Sequence, residues 1–140
     1  MKPPLFGLLL AGGRSTRMGR DKASMVIGKD GLNQGQRAVQ GLSPICQKVF
    51  LSLRDGQTAP EGCEHLEIVR DNPGISGPLA GILAAFEREP DAAWLVMACD
   101  LPFVAPEVLI KLVQARRDGA DFIAYASATD GLPEPLCAIY

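Results

Sequence analysis

Histidine is almost absent from this chain: His65 is the only one, and the cysteines form no Cys-x-x-Cys pair. Zinc sites need paired Cys or His ligands at close spacing, so none is expected. Cys46, Cys63, Cys99 and Cys137 read as buried thiols. The same scarcity leaves no serine–histidine or cysteine–histidine arrangement for nucleophilic catalysis. Positive charge is not in excess either. Fourteen basic residues face 16 acidic ones, for a net charge of −2, so no overall field favours nucleic acid or an anionic membrane. Long apolar runs are missing too. The longest early one, Leu5–Ala11, is far too short to span a bilayer. With Lys2 it faintly resembles a signal peptide, but it leads into a charged glycine segment, not a cleavage site. A cytoplasmic location is therefore expected.

What is present fits one α/β domain. The 140 residues, 47% of them apolar, suffice for a single core. Short apolar runs alternate with amphipathic stretches. Strands are expected at Leu5–Ala11, Val49–Leu53, Leu66–Val69, Ala93–Ala98, Asp121–Ala126 and Leu136–Tyr140. Helices are expected from near Asn33, over Gly77–Arg88 with Leu79, Ile82, Leu83 and Phe86 inward, and over Pro106–Arg117. This order predicts a three-layer, Rossmann-like fold with a mostly parallel sheet and helices on both faces. Ligands of such sheets bind beyond the carboxyl ends of the strands. Ala11–Lys22, Asp71 and Asp100 all fall there.

The segment Leu10–Lys22 carries the most chemistry. Gly12 and Gly13 lack Cβ, so backbone N–H groups can approach a phosphate and form an anion-binding concavity. Arg17 and Lys22 add full charges able to offset those of β- and γ-phosphates. Two other glycine motifs do not fit. Gly-Gly followed by Gly19 is not Gly-x-Gly-x-x-Gly, and Gly19-Arg20 is not the Gly-Lys of a P-loop. Asp100 follows an apolar strand. It is read as a Mg²⁺ ligand beside a polyphosphate, with helix capping as the alternative. Asp71-Asn72-Pro73-Gly74 is turn chemistry in its own right.

Leu10 through Lys22 matches each fixed position of Leu-Ala-Gly-Gly-x-Ser-x-Arg-Met-Gly-x-Asp-Lys. That pattern resembles the signature of the molybdenum-cofactor guanylyltransferases. Gly77-Pro78-Leu79-Ala80-Gly81, Cys99-Asp100-Leu101-Pro102 and Leu132–Leu136 resemble later segments of the same family. The resemblance implies transfer of a nucleoside monophosphate, GMP from GTP favoured, to molybdopterin with release of pyrophosphate. A cytidylyltransferase of the same fold and a non-catalytic nucleotide-binding module are the alternatives. Arg17, Lys22 and Asp100 are the implied catalytic residues, with Asp100 holding Mg²⁺. Leu10, Ala11, Gly12, Gly13, Lys22, Ser52, Asp71 and Gly77 are the implied nucleotide-binding set. Ser52 stands where the family often has asparagine, and Gly28-Lys29-Asp30-Gly31-Leu32 departs from the usual Gly-Lys-Pro-Leu. Family members also continue into a C-terminal segment with an Asn-x-x-Thr-Pro-like motif, which this chain is expected to lack. Proteins that deliver or receive the cofactor are the implied partners.

Overall fold

The computed structural model describes residues 2–11, 31–99 and 105–140. Six strands and three helices follow in the order β1 (Leu5–Leu10), α1 (Gln34–Leu42), β2 (Lys48–Leu53), β3 (Glu67–Arg70), α2 (Pro78–Arg88), β4 (Ala93–Ala98), α3 (Pro106–Gln114), β5 (Ile123–Ala126), β6 (Pro133–Ile139). They build one sheet of order β3-β2-β1-β4-β6-β5. Strands β3, β2, β1 and β4 run parallel, while β6 is antiparallel to both of its neighbours. Because β2 and β3 lie on one side of β1 and β4 on the other, the order reverses between β1 and β4. The sheet is thus mixed and mostly parallel, as the alternation predicts.

Helices cover both faces. On the first, α1 and α3 bring Ala38, Leu42, Leu109 and Leu112 onto Leu5, Leu9, Leu51, Leu53 and Leu95. On the second, α2 brings Ile82 and Ala85 onto Leu8, Phe50, Val69, Trp94 and Val96. Strands buried on both faces read as continuous apolar runs, which is why Ala93–Ala98 is legible to the residue.

The start of α1 is tied down. Asn33 caps it: its Oδ1 accepts from the Gln36 N–H (2.8 Å), and its own N–H donates to Gln36 Oε1 (3.0 Å). The Asn33 amide also donates to the Glu61 carbonyl at 2.8 Å, docking the helix start on the β2–β3 connection. Gly62 there has φ +84°, and a Cβ on it would overlap the Gln36 side chain.

The expected inward stripe of α2 needs one correction. Ile82 faces the sheet as expected, but Leu79 is 54% exposed, and Ala80, Gly81 and Ala85 complete the buried face. Small residues win this face because the helix lies very close to β2. Helix α3 stops at Gln114, short of Arg117, and β6 begins at Pro133. Arg116 instead turns to donate to the Pro3 carbonyl (2.7 Å) and accepts from Lys2 on its own carbonyl (2.7 Å). Among the described residues, no helix is long and apolar enough to cross a membrane.

The second face centres on Phe50, with Phe6 and Trp94 rings at 5.7 and 5.2 Å. Lys48 and Arg88 each lie 5.2 Å from its centroid, and both pair with Glu67. Phe50→Ala is expected to cost about 3–5 kcal/mol in chemical denaturation, since the cavity removes ring contacts on every side. Hydrogen bonding from Lys48 holds the Glu67 carboxyl below its ordinary value, against some desolvation and aided by Lys48 and Arg88 charge. A lowered carboxylate contributes stability above the unfolded value. The advantage of the native chain over Glu67→Gln should therefore be full above pH 4.5, the ordinary value, and vanish as pH falls through the depressed one. Denaturant titrations at several pH values measure it.

Candidate functional site

The carboxyl ends of β3, β2, β1 and β4 stand side by side, and three backbone bonds carry the pairing past the strands. Asp71 N–H donates to Leu53 O (2.9 Å), Ala11 N–H to Ser52 O (3.0 Å) and Cys99 N–H to Leu10 O (3.1 Å). Asp71, Ser52, Leu10, Ala11 and Cys99 therefore share one edge. Ala11 and Cys99 flank the point where the strand order reverses, the place where open α/β sheets bind ligands. The antiparallel course of β6 brings its first residues, Pro133–Leu136, to this same edge. Gly12, Gly13, Arg17, Lys22 and Asp100 lie outside the described residues.

On the α2 face, Ser52 is 1% exposed, and its hydroxyl donates to Asp71 Oδ1 at 2.9 Å. A carboxylate oxygen accepts more than one bond, so Asp71 keeps acceptor capacity beyond this tie. Ser52 spends its hydroxyl on the aspartate and acts here as its brace. Gly81 closes the arrangement: a Cβ at that position would overlap Ser52 Oγ and stand 3.1 Å from Leu10 Cδ2 and 3.2 Å from Asp71 Oδ1. Only glycine lets α2 approach so far.

The segment after Asp71 is also a turn. Asn72 Oδ1 accepts from Gly74 N–H (3.0 Å), and its carbonyl from Ile75 N–H (3.1 Å). Asn72 N–H reaches the Ala80 carbonyl (3.5 Å), tying that turn to the beginning of α2. Gly77, the N-cap of α2, adopts φ +77°, with Pro78 next at the first helical position. Turn and site are thus compatible roles for one stretch.

On the α1 face the Ala11 carbonyl accepts from Gln57 Nε2 at 2.7 Å. Arg70 Nη1 donates to the carbonyls of Gln57 (2.7 Å) and Arg54 (3.0 Å), fastening the polar connection that carries the glutamine. Sequence reasoning gave Gln57 and Arg70 no role, because a polar turn has no periodicity to single out a donor.

Burial pushes the Cys46 thiol up to about 12, with Arg116 opposing, and burial likewise raises Cys63 and Cys137. These thiols are protonated at neutral pH and unsuited to nucleophilic attack. Among the described residues no group of three or more His, Cys, Asp or Glu could hold a metal. The site can therefore offer an anchored carboxylate, buried backbone and the exit of β1, which suits positioning chemistry more than covalent catalysis.

A family model described as the MobA-like NTP transferase domain matches residues 7–140. The chain is 39% identical over 137 residues to a molybdenum cofactor biosynthesis bifunctional protein of Synechocystis sp., covering 98% of this chain and 39% of that protein. It is 33% identical over 137 residues to a probable molybdenum cofactor guanylyltransferase of Chloroflexus aggregans, covering 97% of this chain and 65% of that one. Among solved structures, the molybdopterin-guanine dinucleotide biosynthesis protein A of Archaeoglobus fulgidus superposes with a TM-score of 0.71 at 27% identity, over 96% of this chain and 66% of that one. The chain thus spans less than two thirds of the length of these two curated relatives.

The Ser52–Gly81 contact yields a double-mutant test. Alanine in a helix interior ordinarily gains about 0.5–1 kcal/mol over glycine, but overpacking costs about 1–3 kcal/mol. Gly81→Ala should therefore destabilise. Ser52→Ala should cost about 1 kcal/mol for the lost hydrogen bond. Combined, the two should cost less than their sum, because the second removes the atom that the first strikes. Urea denaturation of all four forms measures the coupling, and strict additivity would place the two residues out of contact.

Proposed function

Because the chain belongs to the MobA-like NTP transferase family, we propose that it transfers a nucleoside monophosphate, GMP from GTP, to the phosphate of a molybdopterin-type acceptor. An acceptor phosphate oxygen attacks the α-phosphorus of the nucleotide. The bond from that phosphorus to the bridging oxygen of the β-phosphate breaks, and pyrophosphate leaves with the electron pair. Such transfer rests on alignment and charge compensation, so it needs no protein nucleophile. The raised thiol pKa values accord with that requirement.

The observation that carries the reading is the position of Leu10–Ala11. The glycine-rich segment begins where β1 ends, beside the reversal of strand order, with the braced Asp71 two strands away. In this reading the amides of Gly12 and Gly13 cradle the phosphates. Arg17 and Lys22 offset the charge of the departing pyrophosphate. Asp71 accepts a hydrogen bond from the nucleoside, and Gly77 lies beside the nucleotide at the start of α2. Asp100, immediately after Cys99, would hold Mg²⁺, which in such reactions neutralises phosphate charge. A single carboxylate with phosphate oxygens and water is a sufficient set for that ion. The reaction is placed in the cytoplasm, and proteins that hand over molybdopterin or take the product are its expected partners.

Calorimetric titration with GTP, CTP, ATP and UTP, with and without Mg²⁺, tests the reading. GTP is expected to bind best and to require the ion. A CTP preference would move the chain to the cytidylyl reaction, and binding without pyrophosphate release in the presence of acceptor would make it a binding module. Lys22→Ala should weaken GTP binding by about tenfold or more, the value of a charge-assisted bond. Asp100→Ala should abolish Mg²⁺-dependent turnover with the melting midpoint retained.

A further inference from the structure

The β2–β3 connection, residues 54–66, holds two points of the chain far apart in sequence. At one end, Gln57 Nε2 donates to the Ala11 carbonyl at 2.7 Å. At the other, the Glu61 carbonyl accepts from Asn33 Nδ2 at 2.8 Å. Ala11 immediately precedes the glycine-rich segment, and Asn33 caps the helix to which the chain returns after it. The holder is itself fastened. Arg70 Nη1 bonds the Gln57 and Arg54 carbonyls, Arg54 N–H donates to Gln57 Oε1 (3.3 Å), and Gly62 packs where any side chain would meet Gln36.

Both polar groups of the Ala11 backbone are thereby occupied: its N–H on Ser52 O, its C=O on Gln57. A residue held on N–H and C=O has little freedom in φ and ψ, so the direction in which the chain leaves β1 is set. A connection serving only to cross from β2 to β3 has no need of ties to β1 and α1.

We infer that this connection is a clasp for the nucleotide segment, with Gln57 the positioning residue that sets its take-off and Asn33 the one that sets its return. The inference rests on the proposed nucleotidyltransferase reading and adds to it a determinant of NTP affinity that never touches the nucleotide. The effect is on phosphate binding. Loss of the clasp should therefore raise KM for NTP, with kcat and KM for the acceptor changing far less.

Gln57→Leu keeps the bulk and removes the donor. NTP titration should show affinity about five- to tenfold weaker, the equivalent of one neutral hydrogen bond, measured on folded protein as established by its melting curve. Gln57→Glu separates positioning from mere stability. Its ionised carboxylate has no proton to give the Ala11 carbonyl, and regains one only on protonation. Its NTP affinity relative to the native chain should recover as pH is lowered from about 6 through the ordinary glutamate value of about 4.3. Native-like NTP affinity in Gln57→Leu, or a pH-independent ratio in Gln57→Glu, would overturn the clasp while leaving the nucleotidyltransferase reading in place. Absence of NTP binding by the native chain would remove that reading, and the clasp with it.

Discussion

Parallel pairing on both sides of β1 is the constraint from which the rest of this structure follows. Its partners β2 and β4 run in the same direction, so each must be reached by a crossover and not by a tight turn. A crossover helix needs a face to cover. With α1 beneath one face and α2 above the other, the two connections part company at β1. The gap between them falls at its carboxyl end. The site is thus a by-product of topology before any functional residue is placed.

The two faces then solve different problems. The α1 face is a broad layer rich in leucine. The α2 face is tight at one end, where Gly81 admits the helix against Ser52, and aromatic at the other, where Phe6, Phe50 and Trp94 meet. Close approach near the edge holds the Asp71 carboxylate against its serine. Aromatic bulk fills the space beneath the helix away from the edge. Asp71 is positioned by packing as much as by its hydrogen bond.

How much of this was legible depended on the kind of signal each residue leaves. Continuous apolar runs disclosed the strands, and proline at the first helical position marked both α2 and α3. The start of α1 near Asn33 was expected, whereas the capping box that fixes it emerged only in the structure. The inward face of α2 was misread at Leu79 because hydrophobic spacing favours large residues, whereas steric room at Ser52 selects small ones. Glycine and acid residues after strand ends pointed to the edge, where Leu10, Ala11, Ser52 and Asp71 do meet. The buried brace formed by Ser52 was not legible, since its partner lies 19 residues away. Gln57 was invisible for the same reason: a tie between side chain and distant backbone obeys no local period.

The reversal of direction at β6 has a consequence for scale. Neighbouring strands lie about 4.8 Å apart. From the end of β3, across β2, β1 and β4, to the incoming end of β6 are four such steps, about 19 Å in all. The turn that follows Asp71 lies at one end of that span, and at the other a strand enters, preceded by Leu132, 62% exposed. Among the described residues, the Asp71 carboxylate marks one end of that span and an exposed leucine the other.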